Sequence, residues 1–326
     1  MNMKTPNSKP AGAAAAAVEA SAPITKDQFK IIGIDLNRGE GIARPRIGYW
    51  KDAWRRLREN KVATISLFIL LALVIMVIIG PHLDGFNFAD VDNNAVNHAP
   101  SAAHWFGTDA LGRDLFSRVW QAGRVSMAIG LAGAVIATVV GCIYGGISAY
   151  FGGVVDTIMM RIVEILYGVP YLLIVILISV VTDSRNIWTL LLALCITGWC
   201  DTARLVRGQM LQLKSQEFVL AANALGVSPW RSIIRHLIPN TLSVIIVAIT
   251  FDIPGFIFAE AFLSYLGLGI KAPNTSWGAL CSAAQQVFMF YPYQMFFPAL
   301  MIALTMLCFT LLGDGLRDAL DPKLRK

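Results

Sequence analysis

Between Lys61 and Asp84 the chain has no Lys, Arg, Asp or Glu, and from Val125 to Val155 it again has none for 31 residues. A helix rises about 1.5 Å per residue, so about 20 apolar residues cross a hydrocarbon core of about 30 Å. Runs of this kind leave an all-α, polytopic membrane helix bundle as the expected fold class, because only helices satisfy their own backbone groups in lipid at this length. The first candidate span covers Val62 to about Leu83, and the second lies within Val125–Val155. A third covers about Ile158 to Val181, a fourth Ile187 to Val206, a fifth Thr241 to Leu263 and a sixth Tyr293 to Leu312. Composition agrees with six spans. Charged residues make up 15% of the 326 and hydrophobic ones 56%, against about 25% charged in a soluble domain. A disordered chain, a nucleic-acid binder and a disulfide scaffold are all disfavoured.

The net charge of +6 is confined to residues 1–61, which hold 12 Lys/Arg against 6 Asp/Glu. With the amino terminus inside, 22 of the 27 basic residues fall on the cytosolic side and five outside: Arg113, Arg118, Arg124, Arg185 and Lys271. Basic residues in short loops set orientation, so the expectation is a multi-pass protein of the cytoplasmic (inner) membrane with both termini cytosolic. Residues 1–61 read as a cytosolic basic tail, 62–326 as the membrane domain, 84–124 as a first outer loop and 213–240 as a cytosolic loop. The first span starts too far into the chain to read as a cleaved leader. Residues 50–58 (WKDAWRRLR) suit either a basic amphipathic helix on the anionic inner leaflet or a solvated charge run. The run 31–41 (IIGIDLNRGEG) matches no pattern.

Ionisable groups inside spans are expensive, about 2.5–3.5 kcal/mol each even on an insertion scale, so they face protein or water. Asp252 lies mid-span in the fifth helix and is the translocation-path candidate, either meeting substrate amines and water or bonding to a neighbouring helix. Arg161 and Glu164 stand one turn apart and are expected to pair. Glu260 and Asp201 are expected near opposite membrane interfaces, where capping or snorkelling is cheap. The second span is dense in glycine, and Gly141 and Gly145 give the G-x-x-x-G spacing of close helix packing, within the chain or against a partner. Cys142, Cys195, Cys200 and Cys308 fall in or beside spans, while Cys281 reads as a lone exposed thiol, so no disulfide framework is expected. The four histidines are scattered and no metal site is expected. No G-x-x-x-x-G-K-[ST], H-E-x-x-H or G-x-S-x-G occurs, so the chain has no evident nucleotide loop or hydrolase chemistry of its own. A non-catalytic protein is expected.

The loop 213–240 reads LKSQEFVLAANALGVSPWRSIIRHLIPN. Ser215 is a plausible N-cap for a first helix running to about Leu225, Gly226 suits a left-handed stop, and Ser228-Pro229 is a restart signal. The second helix is expected to end at Pro239. Ala221 and Ala222 leave a shallow face between Phe218 and Leu225, suited to a partner's groove or to the membrane surface.

These residues resemble the permease subunits of ABC importers, whose hallmark is a cytosolic E-A-A-x-x-x-G-x(9)-I-x-L-P motif. Ala221, Ala222, Gly226 and Pro239 fall on it. Leu220 stands where the acidic residue belongs, with Glu217 three places earlier, and His236 and Ile238 replace the Ile and Leu. Residues 104–118 (HWFGTDALGRDLFSR), 260–269 (EAFLSYLGLG), 276–279 (SWGA) and 313–323 (GDGLRDALDPK) are similar, in order, to segments of the peptide and nickel branch, C-type subunit. The resemblance implies a type I ABC importer permease fold. It also implies a paralogous permease partner, two cytosolic ATPase subunits that hold ATP and Mg, and an extracytoplasmic peptide-binding protein. Glu217, Ala221, Ala222, Gly226 and Pro239 would then couple to the ATPases, and oligopeptides are the favoured substrate over dipeptides or nickel. Two other readings stand beside it: a stand-alone secondary transporter or channel relaying protons through its membrane carboxylates, and a membrane scaffold whose loop docks a signalling protein.

Overall fold

A backbone inside lipid has no water to bond, so each apolar run closes its hydrogen bonds on itself as a helix. The structure, a computed structural model, describes residues 48–182, 186–270 and 274–321. The amino-terminal tail to residue 47 with its 31–41 run, Arg185, Lys271 and Lys323 all lie outside those residues. From Gly48 onward the chain forms one unit, built among the described residues from helices and short helical turns. Helix α1 spans Tyr49–Glu59 and α2 Lys61–Ile79, followed by α3 (Leu115–Phe151), α4 (Gly153–Gly168) and α5 (Tyr171–Val181). Helices α6 (Ile187–Gly198) and α7 (Cys200–Lys214) together make one membrane-length element. Then come α8 (Glu217–Ala224), α9 (Pro229–Ser232), α10 (Ile238–Tyr265), α11 (Trp277–Gln285) and α12 (Tyr293–Leu320). Among the described residues five elements are long and apolar enough to cross a membrane, and α4 with α5 makes a sixth if that bent pair is one span.

Several expected boundaries move. Helix α3 begins at Leu115, so the first loop ends ten residues before 124. Asp114 caps it by accepting from Ser117 N at 2.9 Å. The third span is not straight: α4 and α5 meet at 82°. Pro170 has no N–H to give the ladder and forces Val169 into an extended conformation, ψ 123°. The fourth span runs on to Lys214 rather than Val206. Pro239 does not end a helix: a π turn over Ile233–Leu237 widens the backbone just before it, and Pro239 becomes an early residue of α10. The wide turn accommodates the missing donor.

Gly141 and Gly145 pack within the chain rather than against another subunit. A Cβ on Gly145 would lie 2.4 Å from Ala203 O and one on Gly141 2.7 Å from Thr202 Cβ, so α3 and α7 meet backbone to backbone. Glycines 130 and 133 face Ile257 and Phe256 of α10 in the same way. Helix α1 packs on α2 and α12 through Ala53 and Leu57, with Tyr49 OH donating to Leu320 O at 3.3 Å, while Trp50 and Trp54 stay exposed. Cys281, expected outside, is buried in α11.

Candidate functional site

The loop between α7 and α10 folds from its own local chemistry. Helix α8 starts one residue later than expected: Gln216 is its N-cap, and Ser215 instead donates to Gln212 O at 3.0 Å. Glu217 is its exposed first residue, where a carboxylate suits the helix dipole. Gly226 carries φ +77°, with Gly226 N bonding Asn223 O at 3.0 Å and Val227 N bonding Ala222 O at 3.2 Å. These are the two bonds of a Schellman stop. Pro229 then opens α9, although the Ser228 side chain makes no cap bond.

Val219 alone among α8 residues is buried, beside Met210, Ile233 and Leu237. Phe218, Leu220 and Leu225 are exposed, Leu225 at 85%. Ala221 is exposed and Ala222 half-buried on the same short helix, whereas Pro239 lies beyond the π turn. The loop is tied down by residues that the sequence reading missed. Asn223 Oδ1 accepts from Ser232 at 3.3 Å and Tyr150 OH at 3.5 Å. Lys214 Nζ donates to Tyr150 O at 2.5 Å, at the end of α3. Arg207 holds Asp156 of α4 through two bonds of 2.5 Å. Of these ties only Asp156–Arg207 joins opposite charges that the sequence could have hinted at, and spacing does not specify the partners.

Asp252 sits elsewhere, on α10. It lines a cavity of about 510 Å³ with Asp201, Thr197, Tyr167 and Tyr171, and accepts from Thr202 Oγ1 of α7 at 3.2 Å. One carboxylate oxygen therefore bonds a neighbouring helix, as the second alternative expected, while the group lines open space. Among the described residues the cavity is lined by two carboxylates and no Lys or Arg, so its chemistry favours a cation. Arg161 and Glu164 pair at 2.8 Å on an exposed face, as expected. Glu260 overturns its expectation: it is fully buried, accepting from Ser126 at 2.8 Å and Ser264 at 2.7 Å. Helix periodicity gives depth but not neighbours, and α11, which helps bury it, was not foreseen.

In the first loop His104 Nδ1 lies 2.9 Å from Asp114 Oδ1, with Phe86 over the imidazole at 4.7 Å. Burial, and then a hydrogen bond to Asp114 that needs the proton, push the Asp84 carboxyl up to about 6. A raised folded pKa means that Asp84 contributes most below its unfolded value near 3.8, and that this contribution is lost as pH rises through about 6. Protease resistance of residues 83–114 should therefore fall between pH 5 and 7, measured by cleavage rate on the detergent-solubilised protein. Asp84→Asn should flatten that profile; a slope that survives the substitution would show that Asp84 is not its source. Among the described residues no group of three or more His, Cys, Asp or Glu is placed to hold a metal ion.

Residues 137–326 match the family model described as the binding-protein-dependent transport system inner membrane component, and residues 48–100 match the N-terminal TM domain of oligopeptide transport permease C. The chain is 48% identical to the dipeptide transport system permease protein DppC of Bacillus subtilis (strain 168), over 92% of this chain and 94% of that one. It is 46% identical to the oligopeptide transport system permease protein OppC of the same organism, over 93% and 99%. The Escherichia coli (strain K12) OppC is 45% identical over 84% and 91%. In fold, the chain is similar to a solved structure of the MetNI methionine ABC transporter in inward-facing form. The TM-score is 0.52 at 15% identity, covering 62% of this chain and 97% of that one.

Proposed function

We infer the function from one premise: the chain belongs to the family of binding-protein-dependent transport system inner membrane components. Its all-helical bundle is the type I ABC importer permease fold, and it is a polytopic inner-membrane permease subunit of an ATP-driven importer. Beyond that family assignment we propose oligopeptides as the cargo. The dipeptide and oligopeptide relatives stand at 48% and 46% identity and do not separate the two classes, so peptide length rests on the sequence reading alone. A paralogous permease would complete the path, two cytosolic ATPase subunits would hold ATP and Mg, and an extracytoplasmic binding protein would deliver peptide. The chain itself would catalyse nothing. Both termini would lie in the cytosol, with Trp50 and Trp54 of α1 against membrane lipid.

One observation carries the coupling part of this reading. Helix α8 and its C-cap expose Phe218, Leu220 and Leu225, while buried Val219, the Asn223 bonds and the stop at Gly226 hold it. Large exposed apolar side chains clustered on so short a helix mark a surface for a partner, and a fixed angle lets it transmit a push. ATP-driven closure of the ATPase pair would act on Glu217, Ala221 and Ala222, and pass through Gly226 and Pro239 into α10, shifting the bundle between two states. Asp252, on that same α10, would meet cationic groups of the cargo.

Purification in mild detergent tests the assembly: a second permease and two ATPase subunits should co-purify. Peptide transport by the isolated chain without ATP would sink the reading in favour of a secondary transporter. Asp252→Asn tests the path. It should slow ATP-driven uptake of peptides with a free amino terminus several-fold more than that of N-acetylated ones, because only the former bring an ammonium group to the cavity. Equal kinetics for both would remove Asp252 from the path.

A further inference from the structure

A second cavity of about 440 Å³ lies along the same pair of helices as the Asp252 cavity, toward α12, lined by Leu205 and Gln209 of α7, by Val244, Val247 and Ala248 of α10, and by Arg317. On α7 the lining positions Asp201, Leu205 and Gln209 recur every four residues, and on α10 Val244, Ala248, Asp252 and Gly255 follow one face. Such spacing makes one continuous stripe on each helix. Among the described residues, Phe251 alone lines both cavities.

The ring is seated as a movable partition would be. A Cβ placed on Gly313 of α12 would stand 3.1 Å from the Phe251 ring edge, so the ring rests on bare α12 backbone that a side chain would fill. One turn further along α10, nothing lies within 4 Å of where a Cβ on Gly255 would stand, so the wall beside the ring is open. An apolar ring across such a groove blocks solutes by dewetting as well as by bulk.

We infer that Phe251, seated against Gly313, is the gate that separates an acidic upper chamber at Asp201 and Asp252 from a lower chamber at Gln209 and Arg317. The inference rests on the reading of the Asp252 cavity as part of the translocation path. Opening requires the ring to leave its seat on α12, which ties passage to relative movement of α10 and α12. That is the movement expected of α10 if the loop helices push on it.

The test uses the assembled importer in membrane vesicles without nucleotide, with Thr197→Cys reporting the upper chamber and Gln209→Cys the lower. The probe is a membrane-impermeant maleimide, and the labelling of the unsubstituted chain is subtracted. Added on the side from which Gln209→Cys reacts, the maleimide should label Thr197→Cys slowly behind Phe251. With Phe251→Ala it should react about tenfold faster, with Phe251→Leu by an intermediate factor, and with Phe251→Trp no faster than the parent. Equal rates across the series would overturn the gate while leaving the path reading intact. Absence of labelling at both cysteines from either side, even with Phe251→Ala, would overturn the path reading and the gate together. Phe251→Leu keeps the apolar bulk, so a result is obtained even if the alanine variant does not assemble.

Discussion

Truncation of Glu260 to alanine should cost the folded chain about 3–5 kcal/mol, combining a buried cavity with two stranded hydroxyl groups. Glu260 is the hub of a buried polar cluster that joins three helices. Ser126 of α3 donates to it at 2.8 Å and Ser264 of α10 at 2.7 Å. Ser126 Oγ in turn accepts from Trp277 N at 3.2 Å, and Ser276, the cap of α11, donates to Ser264 at 3.2 Å. Trp277 is itself fully buried, its indole donating to Val119 O at 2.9 Å. With the carboxyl gone, α11 keeps its apolar contacts but loses the acceptor that orders both serines. Glu260→Gln has nearly the same shape and keeps one carbonyl acceptor, so it should cost only about 1 kcal/mol. Thermal unfolding of the detergent-solubilised importer reads the difference: the alanine variant should melt roughly 5–10 °C lower, and the glutamine variant close to the parent. An alanine variant as stable as the parent would mean that the serines satisfy one another without the carboxyl.

That cluster also marks where sequence reasoning stops. Charge-free runs fix the existence of spans because the cost of a buried charge acts on each residue independently of its neighbours. Local signals worked for the same reason: Gly226 needs only its own φ to end α8, and Pro229 only its own ring to open α9. Pairings across the bundle are another matter. Glu260 looked like an interface residue because nothing in its own helix reveals Ser126, 134 positions away. Cys281 looked exposed for the same reason, since α11 is too short to register as a span yet is buried against α3, α10 and α12.

Proline gave mixed guidance. At Pro170 the chain breaks by 82°, but at Pro239 it stays helical. The local sequence differs in what surrounds the ring rather than in the ring itself. Gly168 and an extended Val169 precede the first, whereas a π turn anchored by buried Ile233 and Leu237 precedes the second. Tertiary packing decided which proline became a joint and which became the base of a span. For the coupling reading this matters, because α9, the π turn and α10 then form one continuous element of 37 residues. On that reading a push on α9 would reach α10 along one continuous helical element.

The stop at Gly226 is where that push should be most sensitive. Its φ of +77° disfavours any residue with a Cβ, yet no atom lies within 4 Å of where that Cβ would stand. Substitution therefore strains the backbone without creating a clash, and the strain of about 1–2 kcal/mol falls on the angle between α8 and α9. If the stop opens in proportion, ATP-driven uptake should drop by about 5–30-fold in Gly226→Ala, and further in Gly226→Val, whose branched side chain tolerates a left-handed backbone least. Gly226→Asn should restore much of the activity, because asparagine visits that region at lower cost. ATP hydrolysis by the same preparations should persist throughout, so the ratio of peptide moved to ATP consumed falls rather than both together. Gly226→Trp adds bulk on the exposed side where a partner would sit, and should disturb docking as well as angle. A tryptophan variant that assembles, hydrolyses ATP and transports like the parent would remove α8 from the coupling path, since neither the angle nor the surface would then matter.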